Sequence, residues 1–134
     1  MKQKLNCVML VDDNEDDNFF HKIVLKETGI AEHIKVAESG FEALDFLKNE
    51  NKIPELIFLD INMPKMNGWE FLEEYRKLND EQKARVIIIM LTTSLNPADR
   101  KKALVIPEVD GFETKPLTHE TLSEIIERHF PDKI

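Results

Sequence analysis

Short apolar runs alternate with helix-patterned segments along this chain, and that alternation restricts the fold more than any other feature. The runs predict strands at residues 5–11, 33–37, 56–60, 86–91 and 109–114. Two of them, "LIFLD" and "VIIIML", are almost continuously apolar, which is typical of strands covered on both faces. Five strands separated by helices predict an α/β fold, a doubly wound parallel sheet with helices on both faces.

Residues that start or stop helices lie between these runs. Ser39 and Glu42 have the spacing of a capping box, and Asn96 precedes a proline that can occupy a first helical position. Gly29 is expected to end the first helix, and Thr118 to cap the last one. The fourth helix, before the fifth strand, is hard to place from the sequence.

Length and charge exclude several classes of protein. With 134 residues, we expect positions 1–134 to form a single domain without a separate output domain. The net charge of −8 argues against a nucleic-acid partner. No apolar run approaches the roughly 20 residues of a membrane span, and no signal peptide is recognisable. A cytoplasmic location is expected, with Cys7 as a buried, reduced thiol.

Polar residues follow four of the five predicted strands. In open parallel sheets the working site lies beyond the carboxyl ends of the strands. Each residue there has an ordinary alternative role: the acid pair could cap a helix, the threonines could be plain strand-end hydroxyls, and the lysine could be a solvated loop charge. Their joint placement favours a site. The residues concerned are Asp12, Asp13, Asp60, Thr92, Thr93 and Lys115.

The acids among them suggest a metal. Carboxylates a few ångströms apart repel each other, so they call for a cation, and an all-oxygen set suits Mg²⁺ better than Ca²⁺ or a transition metal. A calcium loop starting at Asp12 is excluded, because its sixth residue is Asp17 rather than Gly and its twelfth is Ile23 rather than Glu. Glu15, Asp16 and Asp17 are interpreted as first-turn acids of a helix.

Phosphorylation of one acid explains the whole set. A carboxylate is already ionised at neutral pH and needs no general base to attack phosphorus. Phosphoryl transfer then requires positioning and charge neutralisation. A divalent ion held by Asp12, Asp13 and Asp60 would screen one side of the phosphoryl group, while Lys115 and a threonine hydroxyl would bind its other oxygens. Asp60 is the predicted acceptor.

Four motifs, "VDDNEDD", "LDINMPKMNGWEFL", "MLTTS" and "FETKPL", resemble in order and spacing the receiver domains of response regulators in two-component signalling. The resemblance spans essentially the whole chain. It implies a flavodoxin-like sheet of order 2-1-3-4-5. It also implies a switch that accepts a phosphoryl group from a histidine kinase or phosphotransfer protein and signals by binding a downstream protein, which the sequence does not identify.

The resemblance also assigns roles around the phosphorylated acid. Asp60 corresponds to the phosphoacceptor. Asp12 and Asp13 correspond to the metal-binding acids, with Mg²⁺ as the ion and the backbone carbonyl of Asn62 as a further ligand.

Further roles concern the response to phosphorylation. Thr92 corresponds to the switch hydroxyl and fits the strand end better than Thr93, although both stay candidates. Lys115 corresponds to the phosphate-binding lysine, followed by Pro116 after a cis bond. Phe112 corresponds to the aromatic ring that turns inward from a more exposed rotamer.

Two rival functions use part of the same pattern. An aspartyl-phosphate hydrolase of the haloacid dehalogenase type needs a second Asp two positions after the nucleophile as general acid, and that position is Asn62. A degenerate receiver that is only a scaffold would not require the intact acids, threonine and lysine. We therefore predict a domain that catalyses only its own phosphoryl transfer and dephosphorylation.

Overall fold

Strands and helices alternate along the described part of the chain, which comprises residues 3–49, 53–79, 83 and 86–133 of the computed structural model. The strands are β1 (Leu5–Val11), β2 (Ala31–Ala37), β3 (Leu56–Leu59), β4 (Ile87–Thr92) and β5 (Gly111–Thr114). Among the described residues, the helices are α1 (Glu15–Thr28), α2 (Gly40–Asn49), α3 (Gly68–Arg76), α4 (Pro97–Leu104) and α5 (His119–His129).

The strands form one parallel sheet in the order β2-β1-β3-β4-β5, which confirms the predicted fold. Val11 pairs with Leu59, and Leu59 pairs in turn with Met90, so the carboxyl ends of the three central strands lie side by side. The neighbours of β1 are β2 on one side and β3 on the other. The loops after β1 and β3 therefore diverge at the point where such sheets bind ligands.

Apolar packing covers both faces of the sheet. The α1 and α5 helices bury their apolar sides against one face, and α2, α3 and α4 do so against the other. The β3 strand is buried along its whole length, as its continuous apolar sequence predicts. Cys7 is buried within β1. Within the described ranges, no helix has both the length and the apolar character of a membrane span.

Two strand boundaries differ clearly from the prediction. The β2 strand starts at Ala31, two residues before the predicted start at 33, because Ala31 already pairs with Leu5 of β1. The β5 strand starts at Gly111 rather than at 109, because the Val109 amide donates to the Ile106 carbonyl within a turn. These shifts move no strand to a different place in the sheet.

Three predicted helix boundaries are confirmed. Gly29 ends α1 in the left-handed region, with φ of 64°. The side chains of Asn96 and Thr118 accept hydrogen bonds from backbone amides in the first turns of α4 and α5. The fourth helix, which the sequence did not place, thus begins directly after Asn96.

The predicted capping box at α2 is only half formed. The Ser39 hydroxyl accepts a hydrogen bond from the Glu42 amide, but the Glu42 carboxylate bonds to the amide of Glu38 instead of returning to Ser39. A complete box occurs at α3, between Asn67 and Glu70, where none was predicted. It fixes the start of the helix that follows Asp60, which matters for the site.

Candidate functional site

Asp12, Asp13 and Asp60 meet at the carboxyl edge of β1 and β3. One carboxylate oxygen from each lies within 4.8 Å of those of the other two. Asp12 and Asp60 are buried, with 5% and 7% exposure, and Asp13 is exposed. The Asp12 and Asp60 amides continue the sheet by donating to the carbonyls of Ala37 and Val11, both at 3.0 Å. The sheet therefore brings together the three predicted acids.

Close contact with α3 fixes the loop after Asp60. The Gly68 amide donates to the Ile61 carbonyl at 2.8 Å. A Cβ atom on Gly68 would lie 2.5 Å from the backbone oxygen of Asp60, well inside van der Waals contact. Since a glycine permits this approach, the "NG" that follows "LDINMPKM" serves to seat Asp60 as well as to begin a helix.

Hydrogen bonds occupy both carboxylate oxygens of Asp12. Its Oδ1 accepts from the Asn14 amide at 3.0 Å, and its Oδ2 accepts from the Lys115 ammonium at 2.6 Å. The Asn18 side-chain amide donates to the Asp12 backbone carbonyl at 2.8 Å. Asn14 also caps α1, so the loop after β1 and the first turn of α1 form one rigid unit.

Lys115 reaches into the same site from the end of β5. Its backbone amide donates to the Thr92 carbonyl at 2.8 Å, and the Lys115–Pro116 bond is cis, as the resemblance implied. The ammonium also donates to Asp17 Oδ2 at 2.7 Å and lies 3.8 Å from Asp60 Oδ1. Burial lowers the pKa of Lys115, but the bonds to its acidic partners outweigh it, so the pKa is raised overall.

Asp17 is a site contact that the sequence analysis missed. It was interpreted only as a first-turn acid, and it does lie in the first turn of α1. The one signal available was that this turn directly follows the acid pair. Nothing in the sequence showed that the Asp17 side chain turns back toward the strand ends.

Two buried polar side chains of α1, those of Asn18 and His21, support the site. Asn18 donates to the Asp12 carbonyl, and His21 Nε2 accepts a hydrogen bond from the Leu117 amide at 3.3 Å. Burial, followed by the charge of Lys115, lowers the pKa of His21, which suits its role as a neutral acceptor. These two residues, also missed from the sequence, tie α1 to the loops after β1 and β5.

The electrostatics of Asp60 reflect crowding by like charge. Burial and then the charge of Asp12 raise the pKa of Asp60 to about 6, although Lys115 works in the opposite direction. The Asp60 carboxylate is therefore mostly ionised at neutral pH, at an energetic cost that a cation would relieve. An all-oxygen set of three carboxylates with this unrelieved charge fits a hard divalent ion.

The two candidate threonines lie in different environments. Thr92, the last residue of β4, is fully buried, and its hydroxyl accepts a hydrogen bond from the Ser94 amide at 3.2 Å. Thr93 is exposed, and together with Asn62 it lines the pocket that contains the three acids. The Thr92 hydroxyl is the acceptor in its bond from the Ser94 amide, so its own O–H is not used in that bond and could donate to a group on Asp60.

Phe112 is already buried in this structure, with 7% exposure. The Arg100 guanidinium of α4 lies 5.7 Å from the centre of its ring. The expectation of a more exposed ring before phosphorylation is therefore not met here. The physical reason is apolar packing, because the ring belongs to the buried cluster that also contains Met90 and Ala103.

Comparison with known proteins identifies the family. The sequence model of the response regulator receiver domain matches residues 8–127. The sensor histidine kinase CheAY of Helicobacter pylori is 35% identical over 121 residues, which cover 90% of this chain and 14% of the kinase. Response regulator Rcp1 of Synechocystis is 34% identical over 97 residues, which cover 69% of this chain and 65% of Rcp1. In these two sequence matches, the aligned segment thus covers less than two thirds of the length of either relative.

Solved structures agree with that match. A two component response regulator from Cytophaga hutchinsonii superposes with a TM-score of 0.88 at 31% identity, covering 96% of this chain and 99% of the other. The Mn²⁺-bound form of Rcp1 superposes with a TM-score of 0.72 at 28% identity, covering 96% of each chain. The chain therefore belongs to the response regulator receiver domain family of two-component signalling.

Proposed function

We propose that this receiver is a phosphorylation switch in which Asp60 accepts a phosphoryl group from a histidine kinase or phosphotransfer protein. The observation that carries the proposal is the position of the Asp60 carboxylate. It lies beside those of Asp12 and Asp13 and 3.8 Å from the Lys115 ammonium, at the edge where β1 and β3 diverge. A buried acid with that many charged neighbours suits chemistry better than stability.

The transfer is a simple exchange of bonds at phosphorus. A carboxylate oxygen of Asp60 forms a bond to phosphorus as the bond from phosphorus to the donor's imidazole nitrogen breaks. The electron pair of the broken bond stays on that nitrogen, and nothing is oxidised or reduced. With its pKa at about 6, Asp60 is mostly ionised at pH 7, so it needs no general base.

Asp12, Asp13 and Asp60, with the backbone carbonyl of Asn62, would hold a Mg²⁺ ion. When bound, the ion supplies positive charge that offsets the repulsion between these carboxylates and the phosphoryl oxygens. The related Rcp1 has been solved in a Mn²⁺-bound form, which supports a divalent ion as the cofactor of this receiver.

Lys115 and Thr92 would receive the other phosphoryl oxygens. An ammonium has three N–H donors, and Lys115 uses two of them on Asp12 and Asp17. The third is left for an oxygen carried by Asp60. The Thr92 hydroxyl would donate to a phosphoryl oxygen by moving toward Asp60, and that movement would carry the signal toward Phe112 and a downstream protein partner.

Phosphorylation by a small donor tests this proposal. Incubation with acetyl phosphate and Mg²⁺ should add the mass of one phosphoryl group, labile to hydroxylamine. Asp60→Asn should gain no phosphoryl group, because an amide is too weak a nucleophile. Chelation of Mg²⁺ should suppress the reaction in the wild-type protein. Equal phosphorylation of Asp60→Asn, followed by intact-mass spectrometry, would contradict the assignment.

A further inference from the structure

Asp17 contacts the proposed phosphorylation site although it belongs to none of the roles assigned above. Its Oδ2 accepts a hydrogen bond from Lys115 Nζ at 2.7 Å, about as short as the 2.6 Å bond from that nitrogen to Asp12. The Lys115 side chain is 8% exposed and that of Asp17 is 35% exposed. Asp60, at 3.8 Å, is too far from the ammonium for a hydrogen bond. Two acids therefore hold the lysine.

Asp12 and Asp17 differ as partners for the lysine. The Asp12 carboxylate is one of the three that converge within 4.8 Å, and Asp17 is not. Once Asp12 serves as a metal ligand, the Lys115 ammonium faces a second cation across the shared carboxylate, and like charges repel. Of the two carboxylates that bond to Lys115 in this structure, only that of Asp17 would then remain free to hold the lysine.

The local structure keeps Asp17 in place for this task. Its backbone amide donates to the Asn14 side chain at 3.0 Å, which fixes it in the first turn of α1. Asn14 in turn donates its own amide to Asp12. The two anchors of Lys115 are thus held at a fixed separation by one capped turn, while the lysine comes from the far edge of the sheet.

We infer that Asp17 is a positioning residue for Lys115: it holds the ammonium at the site and directs the remaining N–H toward a phosphoryl group on Asp60. The inference rests on the proposed function. The opposite effect is also conceivable physically, since a carboxylate could compete with the phosphoryl group for the lysine. The two effects predict opposite changes when Asp17 is removed.

Phosphorylation kinetics with acetyl phosphate and Mg²⁺ distinguish positioning from competition. Asp17→Ala should slow the reaction by about five- to tenfold, less than the roughly twelvefold that corresponds to the weakest charge-assisted hydrogen bonds, because Asp17 is partly exposed and solvent screens its charge. Asp17→Asn should lose less, since its amide oxygen still accepts from Lys115. Asp16→Ala is the matched control, with the same charge change in the same turn. It should be phosphorylated at close to the wild-type rate.

A double variant shows whether Asp17 acts through the lysine. In a Lys115→Met background, Asp17→Ala should cause no further slowing, because the group that it positions is gone. Faster phosphorylation of Asp17→Ala, a rate equal to that of Asp16→Ala, or equal slowing with and without Lys115 would overturn the inference.

Magnesium affinity gives a second readout that does not depend on phosphorylation. Without Asp17, Lys115 has only Asp12 to bind and competes with the ion for it. An NMR titration with Mg²⁺ should therefore show weaker binding for Asp17→Ala than for Asp16→Ala, and the difference should vanish in the Lys115→Met background. If Asp60 of the wild-type protein takes up no phosphoryl group, the proposed function fails. The titration still decides the role of Asp17, because equal Mg²⁺ affinities for Asp17→Ala and Asp16→Ala would overturn that role.

Discussion

At Asp60, the features that suit phosphoryl transfer also lower the stability of the metal-free fold. The ionised carboxylate is buried and lies beside Asp12, which raises its pKa to about 6 from the usual 3.8. Between those two pH values an unfolded chain releases a proton that the folded protein keeps. The free energy of unfolding therefore falls as the pH rises through this window, and it stays lowered above pH 6.

Asp60→Asn should remove this penalty. In buffer with a chelator at pH 7, we expect the variant to be more stable than the unmodified protein by up to about 3 kcal/mol. Near pH 3.5, where the carboxyl is protonated in the folded state and mostly protonated in the unfolded state, most of the gain should disappear. Urea unfolding at the two pH values checks this, with the exposed Asp16→Asn as a control. A gain that is equal at both values would show that charge is not its cause.

The sequence revealed some site residues and hid others for identifiable reasons. The acids at positions 12, 13 and 60 and the lysine at 115 were found because they lie at the ends of predicted strands, and parallel strands share one carboxyl edge. Asp17 was missed because its contact depends on how a helix turn is rotated. Phe112 was expected to be more exposed because the resemblance implied a ring that turns inward, whereas here the ring already packs in a buried apolar cluster.

Among the elements, α3 affects the site through the close approach of Gly68 to the Asp60 backbone. Its start is set by the capping box of Asn67 and Glu70. The sequence signalled a turn here through "NG", but a turn signal does not show that two backbones touch. The close contact between Gly68 and the Asp60 backbone depends on how α3 packs across the end of β3.

Gly68→Ala should therefore impair the site as well as the fold. The added Cβ would meet the Asp60 carbonyl at 2.5 Å and Ile61 Cα at 3.0 Å, so the loop must shift, at a cost of about 1–3 kcal/mol. Gly29→Ala is the matched control. Its φ of 64° gives strain of about 1 kcal/mol, but no atom lies within 4 Å of the new Cβ. Thermal unfolding and Mg²⁺ titration distinguish the two variants. Only Gly68→Ala should lose Mg²⁺ affinity, and an equal loss of affinity in Gly29→Ala would refute the special role of the close approach.

The boundaries of the strands were predicted less well at β2 and β5 than in the three central strands. Apolar periodicity located β1, β3 and β4 within about a residue, because these strands are covered on both faces. The segment between α4 and β5 contains several apolar residues that form a turn rather than a strand, as the Val109–Ile106 hydrogen bond demonstrates. Apolar character alone does not distinguish the two.

Across the whole molecule, the proposed switch would pass a signal from Asp60 through β4 and β5. Thr92 ends β4 and pairs with Thr114, and Phe112 of β5 pairs with Met90. A single charge-assisted hydrogen bond contributes about 1.5–3 kcal/mol, which is the largest bias that Thr92 can apply. Because Phe112 is already buried beneath Arg100, we expect the active arrangement to be partly populated before phosphorylation.

Beryllofluoride, which imitates a phosphoryl group on a carboxylate, tests this coupling. We expect NMR shifts at Thr92, Phe112, α4 and α5 of the unmodified protein. Thr92→Ala should still bind the analogue but lose the distant shifts, whereas Thr93→Ala should keep them. Shifts confined to the surroundings of Asp60 in the unmodified protein would exclude the coupling, and the reverse pattern for the two threonines would identify Thr93 as the switch.

The position of the phosphoryl group is the most direct test of the proposed switch. After reaction with acetyl phosphate and Mg²⁺, reduction with borohydride converts an aspartyl phosphate to homoserine, which peptide mass spectrometry can locate. Homoserine should appear at residue 60, with Asp12 and Asp13 unchanged. Homoserine at Asp12 or Asp13, or none at all in a sample whose intact mass has increased by one phosphoryl group, would contradict Asp60 as the acceptor.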